Sequence, residues 1–193
     1  MALVVVVAVL AVACDGPDGG PEPPEGEDAG SAFAAVVLTD DEVPGGLETA
    51  GEGPIASIGG LLPPRRRDPG LPPLPEGLRG SFVEGYRRSF AGDRGAASST
   101  VVRMTDPGAA SGLLNYLRLL PVGGHAAEPV EVPATGLGED GYGWHLLVPE
   151  NESSGFVWRV GEVIASVTLS GPVGAAGPDA SLPLAERVNG RLG

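Results

Sequence analysis

Phe156–Leu169 reads FVWRVGEVIASVTL, and the fold turns on how this stretch is interpreted. β-Branched and aromatic residues fill both halves, and Gly161-Glu162 between them is a two-residue connection of the kind that closes an antiparallel hairpin. That turn pairs Val160 with Val163, Trp158 with Ala165 and Phe156 with Val167. Side chains alternate along a strand, so Phe156, Trp158, Val160, Val163, Ala165 and Val167 share one face. Val157, Arg159, Ile164, Ser166 and Thr168 take the other. The first face is strongly apolar and needs a cover. Small Ala165 opposite Trp158 leaves space for a large ring beneath a helix.

The neighbouring stretches extend this sheet. Tyr142–Val148 (YGWHLLV) is a strand, linked to Phe156 through a polar loop, Glu150–Gly155 (ENESSG). In Ser81–Phe90 (SFVEGYRRSF), Phe82, Tyr86 and Phe90 fall on alternate positions, and a Gly92-Asp93-Arg94-Gly95 turn leads into Ser98–Met104 (SSTVVRM). Asp106-Pro107 opens a helix, with Asp as N-cap and Pro at the first helical position. Ala110, Leu113, Leu114, Leu117 and Leu120 form its apolar stripe, which Pro121 ends. A last helix is expected with Ser181 as cap, Pro183 in its first turn, and Leu184, Val188 and Leu192 on one side. The expectation is an α+β domain over 31–193, an antiparallel sheet of about five to six strands with two helices packed on one face.

The region before the sheet is less patterned. Ala32–Leu38 has no usable period, and Thr39–Gly46 reads as a capped turn broken by Pro-Gly. Residues 51–80 are expected as a Pro-rich surface loop, since Pro63–Gly80 alone holds six prolines, strapped down by Leu61, Leu62, Leu71 and Leu74.

Ala2–Ala13 (ALVVVVAVLAVA) is a run of twelve apolar residues. As a helix it would span roughly 18 Å, short of a hydrocarbon core of about 30 Å, so it has the size of a signal-peptide apolar region over residues 1–13. Only the Met1 amino group is positive ahead of it, so a basic opening is expected upstream. The run ends Ala11-Val12-Ala13-Cys14, at the single Cys of the chain. These residues resemble the lipobox of bacterial lipoproteins, in which small side chains precede a Cys that carries a diacylglycerol thioether and becomes the mature N-terminus. The resemblance implies a lipid-anchored, palmitate-type lipoprotein whose lipid attachment residue is Cys14. Asp15–Gly30 holds five Gly, four Pro and six acidic residues, so 14–30 is expected as a disordered tether reaching roughly 50 Å at about 3.1 Å per residue.

Composition excludes several function classes. Twelve basic residues, all Arg, stand against 25 acidic ones, a net charge of −13, so no basic face exists for nucleic acid. One Cys gives neither a disulfide framework nor a Cys-based zinc site. Glycine and proline total 52 residues, about 27% of the chain, yet 42% is apolar, which requires a folded core beside flexible stretches.

The succession LTDDEVPGGL (38–47), FVEGYRRSF (82–90), VVRMTDPGAASGLL (101–114), GLGEDGYGW (136–144), FVWRVGEVIASV (156–167) and LPLAERVNGRL (182–192) resembles a loose group of actinobacterial lipoproteins and extracellular sensor-like domains. The sensor domains of actinobacterial receptor kinases in that group are disulfide-bonded, whereas no Cys follows Cys14 here. The resemblance implies an extracytoplasmic location at the cell membrane and a binding or sensing role.

Chemistry-bearing residues are few. Neither a G-x-S-x-G elbow, a paired-histidine metal motif nor a phosphate-binding glycine loop occurs, so no catalytic residue, metal ligand or cofactor is assigned. His125 sits in a Gly-rich connection. His145 alternates with Trp144 and points to the opposite face, near Arg159 if the strands pair in simple register, where His145, Arg159, Ser166 and Thr168 would form an anion- or partner-binding patch. Trp144 and Trp158 are the expected walls of a cavity for a small apolar ligand. Arg65-Arg66-Arg67 is the one basic run, read as a solubilising loop rather than a lipid contact. The expected function is therefore non-enzymatic binding of a small apolar ligand or an envelope component. The alternatives are a protein-docking assembly subunit and, behind it, an uncharacterised hydrolase.

Overall fold

The computed structural model describes residues 29–61, 73–120 and 128–193. The Ala2–Ala13 run, Cys14, the tether through Asp28, Leu62, Arg65–Arg67, Leu71, Pro121 and His125 lie outside the described residues.

Strands β6 (Asn151–Val160) and β7 (Val163–Pro172) pair about Gly161-Glu162 in the expected register, with Val160 opposite Val163, Trp158 opposite Ala165 and Phe156 opposite Val167. Gly161 adopts φ +57°, a left-handed conformation that most side chains resist. On one flank lies β3 (Gly95–Met104), joined to β2 (Phe82–Gly92) by Asp93-Arg94. On the other flank lies β5 (Asp140–Val148). The edges are β1 (Glu48–Pro54) and β4 (Val130–Val132), giving an all-antiparallel sheet of order β1-β2-β3-β7-β6-β5-β4.

Seven strands replace the five to six expected. The additional ones are the edges. β1 (ETAGEGP) is Gly-rich and almost wholly exposed, and β4 is three residues long, so neither carries the alternation that marks a strand in sequence. Glu150–Gly155 is not a polar loop: the turn is Pro149-Glu150 alone, and Asn151–Gly155 is the first half of β6, where Ser154 and Gly155 are buried. Phe82 does not share a face with Tyr86 and Phe90, because a register shift between Phe82 and Glu84 turns it to the opposite side.

The helices also depart from expectation: they cover both faces. Helix α4 (Pro178–Gly190) buries Leu184, Ala185 and Val188 against Phe156, Trp158, Ala165 and Val167. Helix α1 (Ala29–Ala34) and the segment through Val37, Leu38, Val43 and Leu47 complete that side over Phe90 and Val101. Helix α3 (Pro107–Arg118) buries Ala110, Leu113 and Leu114 on the other side, against Val102, Val157 and Ile164. Ile55, Ile58 of a 3₁₀ turn (Ile58–Leu61) and Leu74, just before the short α2 (Glu76–Gly80), join this second cluster. The described parts of 51–80 are mostly exposed, with Ile55, Ile58 and Leu74 as their buried contacts. The cause of the two-sided cover lies in β3 and the hairpin, where Val102, Met104, Val157 and Ile164 make a second apolar patch behind the first. Two apolar patches back to back need a cover each.

Asp106 caps α3 as its position predicts, its carboxylate accepting from Ala109 N–H at 2.9 Å. Ser181 does not cap α4. That helix starts three residues earlier at Pro178, whose fixed φ suits a first turn, and Ser181 is buried inside it.

Candidate functional site

The four residues expected to hold a ligand are divided by the sheet. Trp158 is fully buried beneath α4, and its indole Nε1 has no partner among the described residues. Trp144 lies on the α3 side, partly buried against the second cluster. The separation follows from a reciprocal arrangement of rings and glycines on β5 and β6. A Cβ on Gly141 would stand 2.8 Å from that of Trp158, one on Gly143 would stand 2.6 Å from the Phe156 ring, and one on Gly155 would stand 2.8 Å from the Trp144 ring. Rings from β6 therefore lie over β5 on one face, and the ring from β5 lies over β6 on the other.

Arg159 and His145 do not meet. Asp140, not His145, stands opposite Arg159, whose side chain on the α3 side pairs with Glu139 at 2.7 Å and donates to Gly161 O at 3.0 Å. His145 stands opposite Ser154 on the α4 side, and its Nε2 lies 2.8 Å from Glu152 Oε1. The second Glu152 oxygen accepts from Gly174 N–H at 2.9 Å and Ala176 N–H at 3.2 Å. This carboxylate ties the β7–α4 connection to the β5–β6 hairpin. Burial by itself would raise its pKa, but the hydrogen bonds from His145, Ala176 and Gly174 outweigh it and hold the carboxyl below its ordinary value. Next to it, Ser154 Oγ donates to Ala176 O at 2.7 Å and lies 2.6 Å from Ser181 Oγ. Sequence reasoning missed the His145–Glu152 pair because it placed Glu152 in a loop. Taking Pro149-Glu150 as a two-residue turn sets Leu147 opposite Glu152 and brings Glu152 onto the face of His145.

The α3 side holds a different arrangement. Beyond the second cluster its cross-strand rows become hydroxyl-bearing: Thr100 with Ser166, then Ser89, Ser98 and Thr168, then Ser170 with Ser153. All but buried Thr100 are half-buried. Arg87 on β2 borders this field on one side, donating through Nε to Thr100 Oγ1 at 3.2 Å and through Nη2 to Leu61 O at 3.4 Å. The Trp144 ring, lying over Gly155 next to Thr168, borders it on the other. Ser98 and Thr168 hydroxyls bond each other at 2.8 Å, whereas those of Ser89, Ser153 and Ser166 have no protein partner among the described residues. Burial lowers the Arg87 guanidinium from its ordinary value, yet it stays a cation at neutral pH, and no carboxylate pairs with it among the described residues. The expected Ser166 and Thr168 belong to this field, with Arg87 in the place foreseen for His145 and Arg159.

An open groove of about 210 Å³ lies at the far end of the α4 side, floored by Leu47 and Leu169 with Arg94 at its rim. Neither tryptophan lines it. No group of three or more His, Cys, Asp or Glu fit to hold a metal occurs among the described residues, and no described helix is long and apolar enough to cross a membrane.

No protein-family model matches the sequence, and no curated protein matches it. The architecture does have a solved counterpart. The extracellular domain of PknH from Mycobacterium tuberculosis superposes with a TM-score of 0.55 at 9% identity, over 82% of this chain and 93% of that chain. At that identity the likeness is one of fold, an α+β domain built on an antiparallel sheet.

Proposed function

We propose that this chain is a non-enzymatic binding or sensing domain, held on the outer face of a bacterial cytoplasmic membrane by a lipid on Cys14. The observation that carries the reading is the shared architecture with the extracellular domain of PknH. The apolar run ending in Ala11-Val12-Ala13-Cys14 supports the anchor, since two or three acyl chains at about 0.8 kcal/mol per buried methylene hold a protein firmly. Of the two ligand classes, an envelope component is better supported than a small apolar molecule. The α3 side of the sheet carries rows of half-buried hydroxyls, and the Trp158 ring is sealed under α4.

Membrane fractionation of cells making the full chain or its Cys14→Ser variant tests the anchor, with mass spectrometry of the N-terminal peptide. The chain should fractionate with membranes and carry diacylglyceryl and acyl groups on Cys14, and the variant should be released. An unmodified Cys14 on the wild-type chain overturns the reading.

A further inference from the structure

The geometry points to the hydroxyl-lined half of the α3 face as a binding site for an acidic sugar, a polyhydroxylated ring carrying an oxyanion. This deepens the binding role proposed above and does not depend on the anchor.

Three observations converge on that chemistry. The first is the charge of Arg87. Among the described residues, Arg88 pairs with Glu52, Arg103 with Glu84, Arg159 with Glu139 and Arg191 with Glu42, while Arg79, Arg94, Arg118 and Arg187, which have no carboxylate partner, are exposed. Arg87 is half-buried and, among the described residues, has only neutral partners, Thr100 and Leu61 O. Those two contacts use one N–H on Nε and one on Nη2, leaving the Nη1 edge for a planar oxyanion. In a chain of net charge −13, an unmatched inward cation selects an anion from outside.

The second is the floor. Ser89, Ser153 and Ser166 offer hydroxyls with no protein partner among the described residues, each able to donate and accept, and with the bonded Ser98–Thr168 pair they span four adjacent strands. Strand spacing is about 4.8 Å and same-face residues along a strand are about 6.8 Å apart, a grid on the scale of ring hydroxyls. A floor of Ser, Thr, Ala and Gly also stays low between larger walls. The third is Trp144, a half-buried ring that forms the wall opposite Arg87 and offers an apolar face to the C–H side of a sugar.

The test uses the full chain purified in detergent, titrated by calorimetry and tryptophan emission. The probes are a glucuronate-bearing oligosaccharide, the same oligosaccharide after carboxyl reduction, and a 6-phosphorylated glucose oligomer. The charged probes should bind and shift Trp144 emission, and carboxyl reduction should weaken binding at least about tenfold, the loss expected for one charge-assisted contact. Arg87→Gln should weaken the charged probes by a similar factor. Ser166→Asp, on the half-exposed row beside Arg87, should do the same by supplying the missing carboxylate, and it keeps the idea testable should Arg87→Gln not fold. Preference between glucuronate and phosphate identifies which oxyanion the site takes. Absence of binding by all three probes, equal binding of the reduced sugar, or charged-probe binding that survives both substitutions overturns the site. A soluble, unlipidated chain that still binds would sink the anchor and leave the site standing.

Discussion

On the α4 side of the sheet, Phe156, Trp158, Val167 and Val188 are closed from water, and Ser154, Ser181 and Glu152 at their margin are hydrogen-bonded. On the α3 side, Val102, Val157 and Ile164 are sealed by α3, but the rows beyond them carry hydroxyls that are half-exposed and partly unbonded. The strands are the same, and alternation alone separates the two outcomes. A sheet covered on one face obtains stability from that cover and leaves the other for solvent or partners. Here the second face is divided, part given to packing and part left as an accessible polar floor.

The largest effect that could break this contrast concerns its two tryptophans. Trp158→Ala removes a fully buried ring packed closely against Gly138 and Gly141, and should cost about 3–5 kcal/mol. Trp144→Ala, on the half-open face, should cost less than half as much. Urea unfolding of both variants at constant m-value measures the difference. Equal losses would mean that the α3 face is as much a sealed core as the other.

These two tryptophans also mark how far the sequence could be read. The register of Phe156–Leu169 was legible because a Gly-X turn fixes pairing locally, and the Asp106 cap because its signal spans only a few residues. The face chosen by α3 was not. A leucine stripe states that a helix is amphipathic and says nothing of which side of the sheet will receive it. Phe82 leaves its expected face because one bulge residue inverts the alternation, and no residue type there announces a bulge. The His145–Glu152 pair hangs on a single turn, Pro149-Glu150, hidden in a polar stretch. Arg87 carries no signal at all, since its isolation from the described carboxylates exists only once β2 lies against β3.

A smaller effect sharpens the comparison at the margin of the α4 side. Glu152→Ala leaves the Gly174 and Ala176 N–H groups without their acceptor and should cost about 1–3 kcal/mol. The pH dependence has a definite sign. The folded carboxyl lies below its ordinary value near 4.5, so its contribution is complete above that value and fades as pH falls through the folded pKa. The difference in Tm between wild type and Glu152→Gln should therefore be largest near neutrality and shrink below about pH 4.5. A difference that grows on acidification would show that Glu152 is held protonated, and that the β7–α4 connection is tied by something else.

The smallest expected effect is the most discriminating, because it compares two adjacent serines. Ser153 and Ser154 differ by one position and so by one face. Ser154 is fully buried, with its hydroxyl between Ala176 O and Ser181 Oγ, and Ser154→Ala leaves Ala176 O without this donor and the Ser181 hydroxyl with only the long contacts to Gly177 O and Pro178 O at 3.5 Å. Loss of a satisfied buried hydrogen bond should cost about 1–2 kcal/mol. Ser153 is half-buried with no protein partner among the described residues, and Ser153→Ala should fall within about 0.5 kcal/mol of wild type. Chemical identity, strand and backbone environment are held constant in this pair, so any difference in midpoint reports the faces themselves. Should Ser153→Ala prove the costlier change, the hydroxyl field would be a structural network in its own right, and the distinction between a sealed face and an accessible one would have to be redrawn.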